Sequence, residues 1–166
     1  YLAVCRGWPE PRFTIDHPLD GGPGKPLRKP AVTDFECLAT VELGWPSAGF
    51  DTSRYALLRA SPRTGRYRQI RRHLKHASHH LIGDTSHGDG HHNRAFRAQG
   101  IHRMLLHAER LAFAHPATGA PMDVRAAPDA ARRKLADLLD QVAHRAAEAV
   151  EFPDHQRVAG AQIGER

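Results

Sequence analysis

From Phe35 to Glu42 the chain sets Phe35, Cys37, Ala39 and Val41 against Glu36, Leu38, Thr40 and Glu42. A period of two is what a strand with one buried face requires. Gly44-Trp45-Pro46 closes this run, and Ser53 to Ala60 predicts a second strand. Tyr1 to Arg6 reads as another, and Phe13-Thr14-Ile15 as a short extended piece before a Gly/Pro-rich loop from Pro18 to Pro30. After the turn Ser61-Pro62-Arg63-Thr64-Gly65 the period changes. Tyr67, Ile70, Leu74 and Ala77 recur at helical spacing, with Thr64 as the N-cap. Gly83, Gly88 and Gly90 make 81–92 a loop. Met104 to Ala108 and Leu111 to Ala114 supply one or two more strands, and Thr118-Gly119 a tight turn. The expected class is α+β, a mainly antiparallel mixed sheet with flanking helices. Residues 128–152 predict a C-terminal helix striped by Leu135, Leu138, Leu139, Val142, Ala146 and Val150, and 153–166 a flexible tail.

At 166 residues the chain has the size of one domain. Its apolar runs, such as Tyr55-Ala56-Leu57-Leu58, fall far short of the roughly 20 residues needed to cross a bilayer, so no membrane partner is expected. Cys5 and Cys37, with no C-x-x-C, exclude a disulfide framework and a cysteine-based zinc site, leave a single disulfide open, and fit the reducing cytoplasm.

The net charge of +6 matters less than its location. Arg54, Arg59, Arg63, Arg66, Arg68, Arg71, Arg72 and Lys75 lie in a 30-residue stretch without Asp or Glu, and the other residues sum to −2. Tyr55, Tyr67, His73, His76, His79 and His80 are interleaved with them. Cations mixed with flat rings suit a nucleic-acid backbone with bases stacked between, and arginine is the better phosphate fork. The competing reading is a solvated basic face.

Other constellations are weaker. His73, His76 and His79 lie three apart, and on a helix such residues can share a metal. The surrounding arginines oppose a dication and the predicted helix carries no carboxylate, so no metal is expected. Gly21-Gly22-Pro23-Gly24-Lys25 lacks the spacing of a phosphate loop. Asp84 is the acid nearest the basic stretch. It reads either as a catalytic group or as an Asx turn holding its own backbone.

The run Arg63-Thr64-Gly65-Arg66-Tyr67-Arg68-Gln69-Ile70-Arg71-Arg72-His73 resembles the R-T-G-R-x-H-Q-I-R motif of the RNA pseudouridine synthases. Tyr1-Leu2-Ala3-Val4-Cys5-Arg6-Gly7 is similar to that family's Y-x-A-x-V-x-G strand. Arg103 to Ala108, with His115-Pro116-Ala117-Thr118-Gly119, is similar to its late L-H-A…H-P-x-T-G pattern. His79 to Gly88, then His92-Asn93-Arg94, resemble a tRNA-modifying subgroup. The resemblance spans about residues 1–127 and implies that this span is the C-terminal part of a pseudouridine synthase catalytic domain.

The resemblance implies a reaction without cofactor or metal: a uridine is flipped from RNA, its glycosidic C–N bond is cut, and the ring is rejoined through carbon. The RNA is tRNA by subgroup, with rRNA the alternative, and the enzyme is expected to be monomeric. Tyr1 would stack on the flipped uracil. Arg71 would ion-pair with the catalytic aspartate. Leu105 and Leu106 would line the pocket, and Arg63, Arg66, Arg68, Arg72, His73 and Lys75 would hold RNA. Two departures stand out. Arg68 occupies a position where the family commonly has His. The family's catalytic aspartate belongs to an H-R-L-D-x-x-T-S-G motif that precedes the Tyr motif, and these 166 residues contain no equivalent. Two expectations follow: an N-terminally incomplete pseudouridine synthase, or an RNA-binding module without catalysis.

Overall fold

A computed structural model describes residues 1–47 and 49–127. The C-terminal helix expected over 128–152 and the tail over 153–166 lie outside the described residues.

The predicted strands are present: β1 (Leu2–Arg6), β2 (Arg12–Asp16), β3 (Val32–Leu43), β4 (Ser53–Pro62), β5 (Leu106–His107) and β6 (Arg110–Ala114); one more, β7 (Pro121–Arg125), follows the Thr118-Gly119 turn. Two helices, α1 (Gln69–His76) and α2 (Gly90–Ala98), lie between β4 and β5. The first five strands form one sheet in the order β2-β3-β4-β1-β5. All its pairings are antiparallel, and β6 and β7 form a separate hairpin. The fold is α+β, as the change of period implied.

The alternation in β3 hides an irregularity. Cys37 pairs with Leu58 and Ala39 with Leu57, so Leu38 is an extra residue, a β-bulge. The bulge moves the odd-numbered residues of β3 from one sheet face to the other. Phe35 joins a core with Ala3, Cys5, Ala56, Leu58 and Ala60, closed by Ile70 and Leu74 of α1. Val41 and Leu43 join a second core with Val4, Tyr55 and Leu105, closed by Phe96 of α2. The centre of the sheet is therefore buried on both faces. This accounts for the unbroken apolar run Tyr55 to Leu58, where alternation alone would have placed polar residues.

Two local expectations need correction. Helix α1 starts at Gln69, not after a Thr64 cap. Arg68 holds the N-cap position in the left-handed region (φ 52°) with no side-chain cap. The hydroxyl of Thr64 is committed elsewhere: it accepts from Val32 N (3.0 Å) and donates to Gln69 Oε1 (2.8 Å). The stretch 81–92 is not all loop, because α2 begins within it, capped by the Asp89 carboxylate accepting from His91 N at 2.9 Å. Only Phe96 among its buried residues is apolar, so no apolar stripe announced the helix.

Candidate active site

Gln69 organises the turn that carries the basic motif. Its Nε2 donates to Val32 O (3.0 Å) and Thr33 Oγ1 (2.9 Å), and its Oε1 accepts from Arg66 N (3.0 Å) as well as from Thr64. A buried amide with all these bonds made locks the Arg63–Arg66 turn onto β3. The next turn of α1 then presents Arg71 at the sheet's end, beside β1 and β5.

There a cavity of about 230 Å³ is lined by Tyr1, Thr64, Arg66, Arg68, Arg71 and Leu106, among others. Tyr1, Arg71 and Leu106, drawn from three separate motifs, thus share one pocket. Leu105 does not line it. On a strand, neighbouring side chains point to opposite faces, and Leu105 is buried in the second core while Leu106 turns toward the cavity.

Arg71 grips Asp84 with two nitrogens, Nε to Oδ2 at 2.6 Å and Nη2 to Oδ1 at 2.7 Å. The Asp84 carboxylate has no exposed surface and also accepts from the backbone N–H groups of Ser86 and His87, both at 2.9 Å. Burial pushes its pKa up. The Arg71 hydrogen bonds, those two N–H groups and the Arg71 charge outweigh that and bring it down to about 2. Hydrogen bonding to Asp84 likewise raises the pKa of Arg71. Of the two readings of Asp84, the Asx turn is the one seen. It does not line the cavity, and it is the described residue that Arg71 pairs with. Nη1 of Arg71 makes no hydrogen bond among the described residues.

Behind Asp84 stands Asn93 of α2, whose Nδ2 donates to Asp84 O (2.9 Å) and whose Oδ1 accepts from Gly83 N (2.7 Å). The glycines on either side admit no side chain. A Cβ at Gly83 (φ +79°) would lie 2.1 Å from Arg103 O, and one at Gly88 would lie 2.1 Å from Asp84 O. Gln69, Asn93 and the clamping role of Asp84 were not read from the sequence. The signal available was the spacing Gly83-Asp84-x-x-x-Gly88 ahead of Asn93.

The basic stretch carries less free charge than its composition suggests. Arg54 pairs with Glu42 (3.1 Å), Arg59 with Glu36 (2.8 Å), Arg63 with Asp34 (2.5 Å), Arg71 with Asp84 (2.6 Å) and Arg72 with Asp20 (2.8 Å). Among the described residues Arg66, Arg68 and Lys75 have no ion pair. Arg66 Nε donates instead to Pro30 O at 3.1 Å. His73 is a correction. It was expected on RNA, but it is fully buried, with Nδ1 3.0 Å from Thr33 Oγ1 and Nε2 3.1 Å from His17 O. Burial lowers its pKa, opposed by the hydrogen bond to the His17 carbonyl and helped by the charges of His17, His76 and Arg72, so it is a core residue that no phosphate reaches. His76 stacks on His17 (3.8 Å between centroids), and His79 Nδ1 lies 3.0 Å from Arg6 O. Among the described residues no group of three or more His, Cys, Asp or Glu is placed to hold a metal ion.

No protein-family model matches the chain. It is 42% identical to a tRNA pseudouridine synthase C of Vibrio cholerae over 78% of this chain and 57% of that protein. It is 40% identical to a tRNA pseudouridine synthase C of Pasteurella multocida over 84% and 62%. The chain therefore spans little more than half the length of these curated relatives. Among solved structures it is similar to human RNA Pseudouridylate Synthase Domain Containing 1, with a TM-score of 0.56 and 29% identity, covering 92% of this chain and 66% of the human one.

Proposed function

This chain belongs to the RNA pseudouridine synthase family, and we propose that it forms the uridine-binding and RNA-binding part of an enzyme that isomerises uridine to pseudouridine in tRNA. The observation that carries this is the meeting of Tyr1, Arg71 and Leu106 around one cavity with a fixed cation in its wall.

The chemistry makes demands that these residues meet. N1–C1′ breaks and C5–C1′ forms; the C5 hydrogen leaves to water and N1 takes up a proton, so product and substrate are isomers. The base must leave its stack, at a cost of a few kcal/mol that stacking in a pocket and phosphate contacts offset. Tyr1, 39% exposed at the mouth, offers a ring to the flipped uracil. Leu106 supplies apolar wall. Arg71, held by Asp84 through Nε and Nη2, keeps Nη1 for a group in the pocket. The resemblance makes that group the carboxylate of the H-R-L-D motif. A guanidinium fixed in advance loses no freedom on meeting its partner. Arg66, Arg68 and Lys75 are free to take phosphates, and Arg63 and Arg72 reach RNA by exchanging an acid for a phosphate. The enzyme acts as a monomer in the cytoplasm. No helix among the described residues is long and apolar enough to cross a membrane, and both cysteines are free, as in a reducing compartment.

A second reading, RNA binding without turnover, rests on the cations of the basic motif that have no ion pair among the described residues, Arg66, Arg68 and Lys75. Tritium release from tRNA labelled at uridine C5 separates the two. The enzyme reading expects release by the protein carrying the H-R-L-D segment. There Arg71→Ala abolishes release and lowers RNA affinity only modestly. Release that survives Arg71→Ala would remove that residue from the chemistry. RNA binding with no release, even when that segment is present, would establish the second reading.

A further inference from the structure

A second cavity, of about 640 Å³, lies between the loop from Asp20 to Pro26 and the start of α1. Its walls include Gly22, Lys25, Tyr67, Arg68, Arg72 and His87. Its volume is in the range of ligand sites, and nothing assigned to the uridine reaction uses Lys25 or Tyr67.

The loop is held in shape. Asp20 Oδ1 accepts from Gly22 N at 2.9 Å, and Gly21 N and Lys25 N donate to Lys25 O and Gly22 O at 2.9 and 3.0 Å. Arg72 ties the loop to α1 by donating to the Asp20 carboxylate (2.8 Å) and to its carbonyl (3.0 Å). Gly22, at φ +95°, packs so closely on Tyr67 that a Cβ there would lie 2.6 Å from the ring. The closed loop thus offers the Lys25 ammonium, which has no ion pair or side-chain hydrogen bond among the described residues.

The opposite wall is flat and cationic. The guanidinium carbon of Arg68 sits 4.9 Å from the Tyr67 ring centroid. Its one side-chain hydrogen bond is a long contact of 3.5 Å to Ser86 Oγ. Lys25, Arg68 and Arg72 face the single carboxylate of Asp20, so the cavity carries an excess of positive charge. Burial, opposed by Asp84 but reinforced by Arg71, Lys75 and Arg68, lowers the pKa of His87, which leaves the cations to set that charge. A guanidinium layered on a ring stacks a base, and its edge with a nearby ammonium binds a phosphate. Arg68 also lines the uridine pocket, so the two cavities share a wall.

We propose that this cavity binds a nucleotide of the substrate RNA flanking the target uridine, its phosphate between Lys25 and Arg68 and its base on the Arg68–Tyr67 stack. The proposal rests on the RNA reading above.

The test is binding of an unmodified tRNA transcript to the 166-residue chain at several salt concentrations, followed by fluorescence anisotropy. Lys25→Gln, at an exposed side chain, is expected to reduce the slope of log affinity against log salt by about 0.7. Tyr67→Leu is expected to weaken binding about five-fold or more at every salt concentration, with circular dichroism checking its fold. If both variants keep the parent slope and affinity while Tyr1→Ala weakens binding, the flanking site is overturned and the uridine pocket stands. If the parent chain does not bind the transcript at all, both readings fall.

Discussion

Arg63 and Arg71 grip carboxylates through the same two nitrogens, and water reaches only one of the pairs freely. Arg63 holds Asp34 with Nε and Nη2 at 2.5 and 2.8 Å, and the two side chains keep 64% and 34% of their surface exposed. Arg71 holds Asp84 at 2.6 and 2.7 Å with 17% and 0% exposed. Geometry does not distinguish them; surroundings do. An exposed pair is screened by solvent and salt and gives its arginine up to a competing phosphate at little cost. A buried pair cannot be broken from one side without stranding a charge in a poor solvent. One motif therefore contains a cation available to RNA and another fixed beside the uridine pocket.

The largest expected effect lies on the buried pair. Asp84→Ala strands the Arg71 guanidinium and costs about 3–5 kcal/mol of stability in urea unfolding. A loss no greater than that of an exposed variant would remove the distinction between the two pairs.

Acid sharpens it further. The folded pKa of Asp84, about 2, lies below the ordinary value of about 3.9 for an unfolded chain. Its contribution is complete above that ordinary value and is lost as pH falls toward 2. The stability gap between the parent and Asp84→Asn should therefore close between about pH 5 and pH 2. A gap independent of pH would show that the ionised carboxylate is not what holds Arg71.

The smallest effect concerns RNA. Lys75 is exposed and unpaired among the described residues, whereas Arg63 must first release Asp34. Lys75→Gln should reduce the salt slope of RNA binding by about 0.7, and Arg63→Gln by less, with no resolvable change in stability. Equal slopes for the two variants would mean that prior pairing does not matter.

The sheet was legible in the sequence because side-chain period and turn chemistry are local, and β3, β4 and the Arg63–Gly65 turn announce themselves within a few residues. The pairs were not legible because they are non-local. The acid-free stretch draws Asp20, Asp34, Glu36 and Glu42 from the preceding loop and strand and Asp84 from the loop that follows, so counting charge along the chain overstated what RNA would meet. His73 was misplaced for a related reason. A polar residue type suggested surface, while its place on the buried side of α1, against Thr33 and His17, made it core. The bulge at Leu38 was invisible because an extra residue leaves the apolar alternation of β3 intact while changing the sheet face it addresses. The pocket was half legible. Three motifs named Tyr1, Arg71 and Leu106, but Leu105 and Leu106 could be separated only once strand register was known.

The most direct test of the central claim is a double-mutant cycle in urea on Arg71 and Asp84, with the same cycle on Arg63 and Asp34 beside it. The clamp predicts a coupling of about 2–3 kcal/mol for Arg71 with Asp84 and none resolvable for the exposed pair. Couplings of equal size, or none between Arg71 and Asp84, would contradict it.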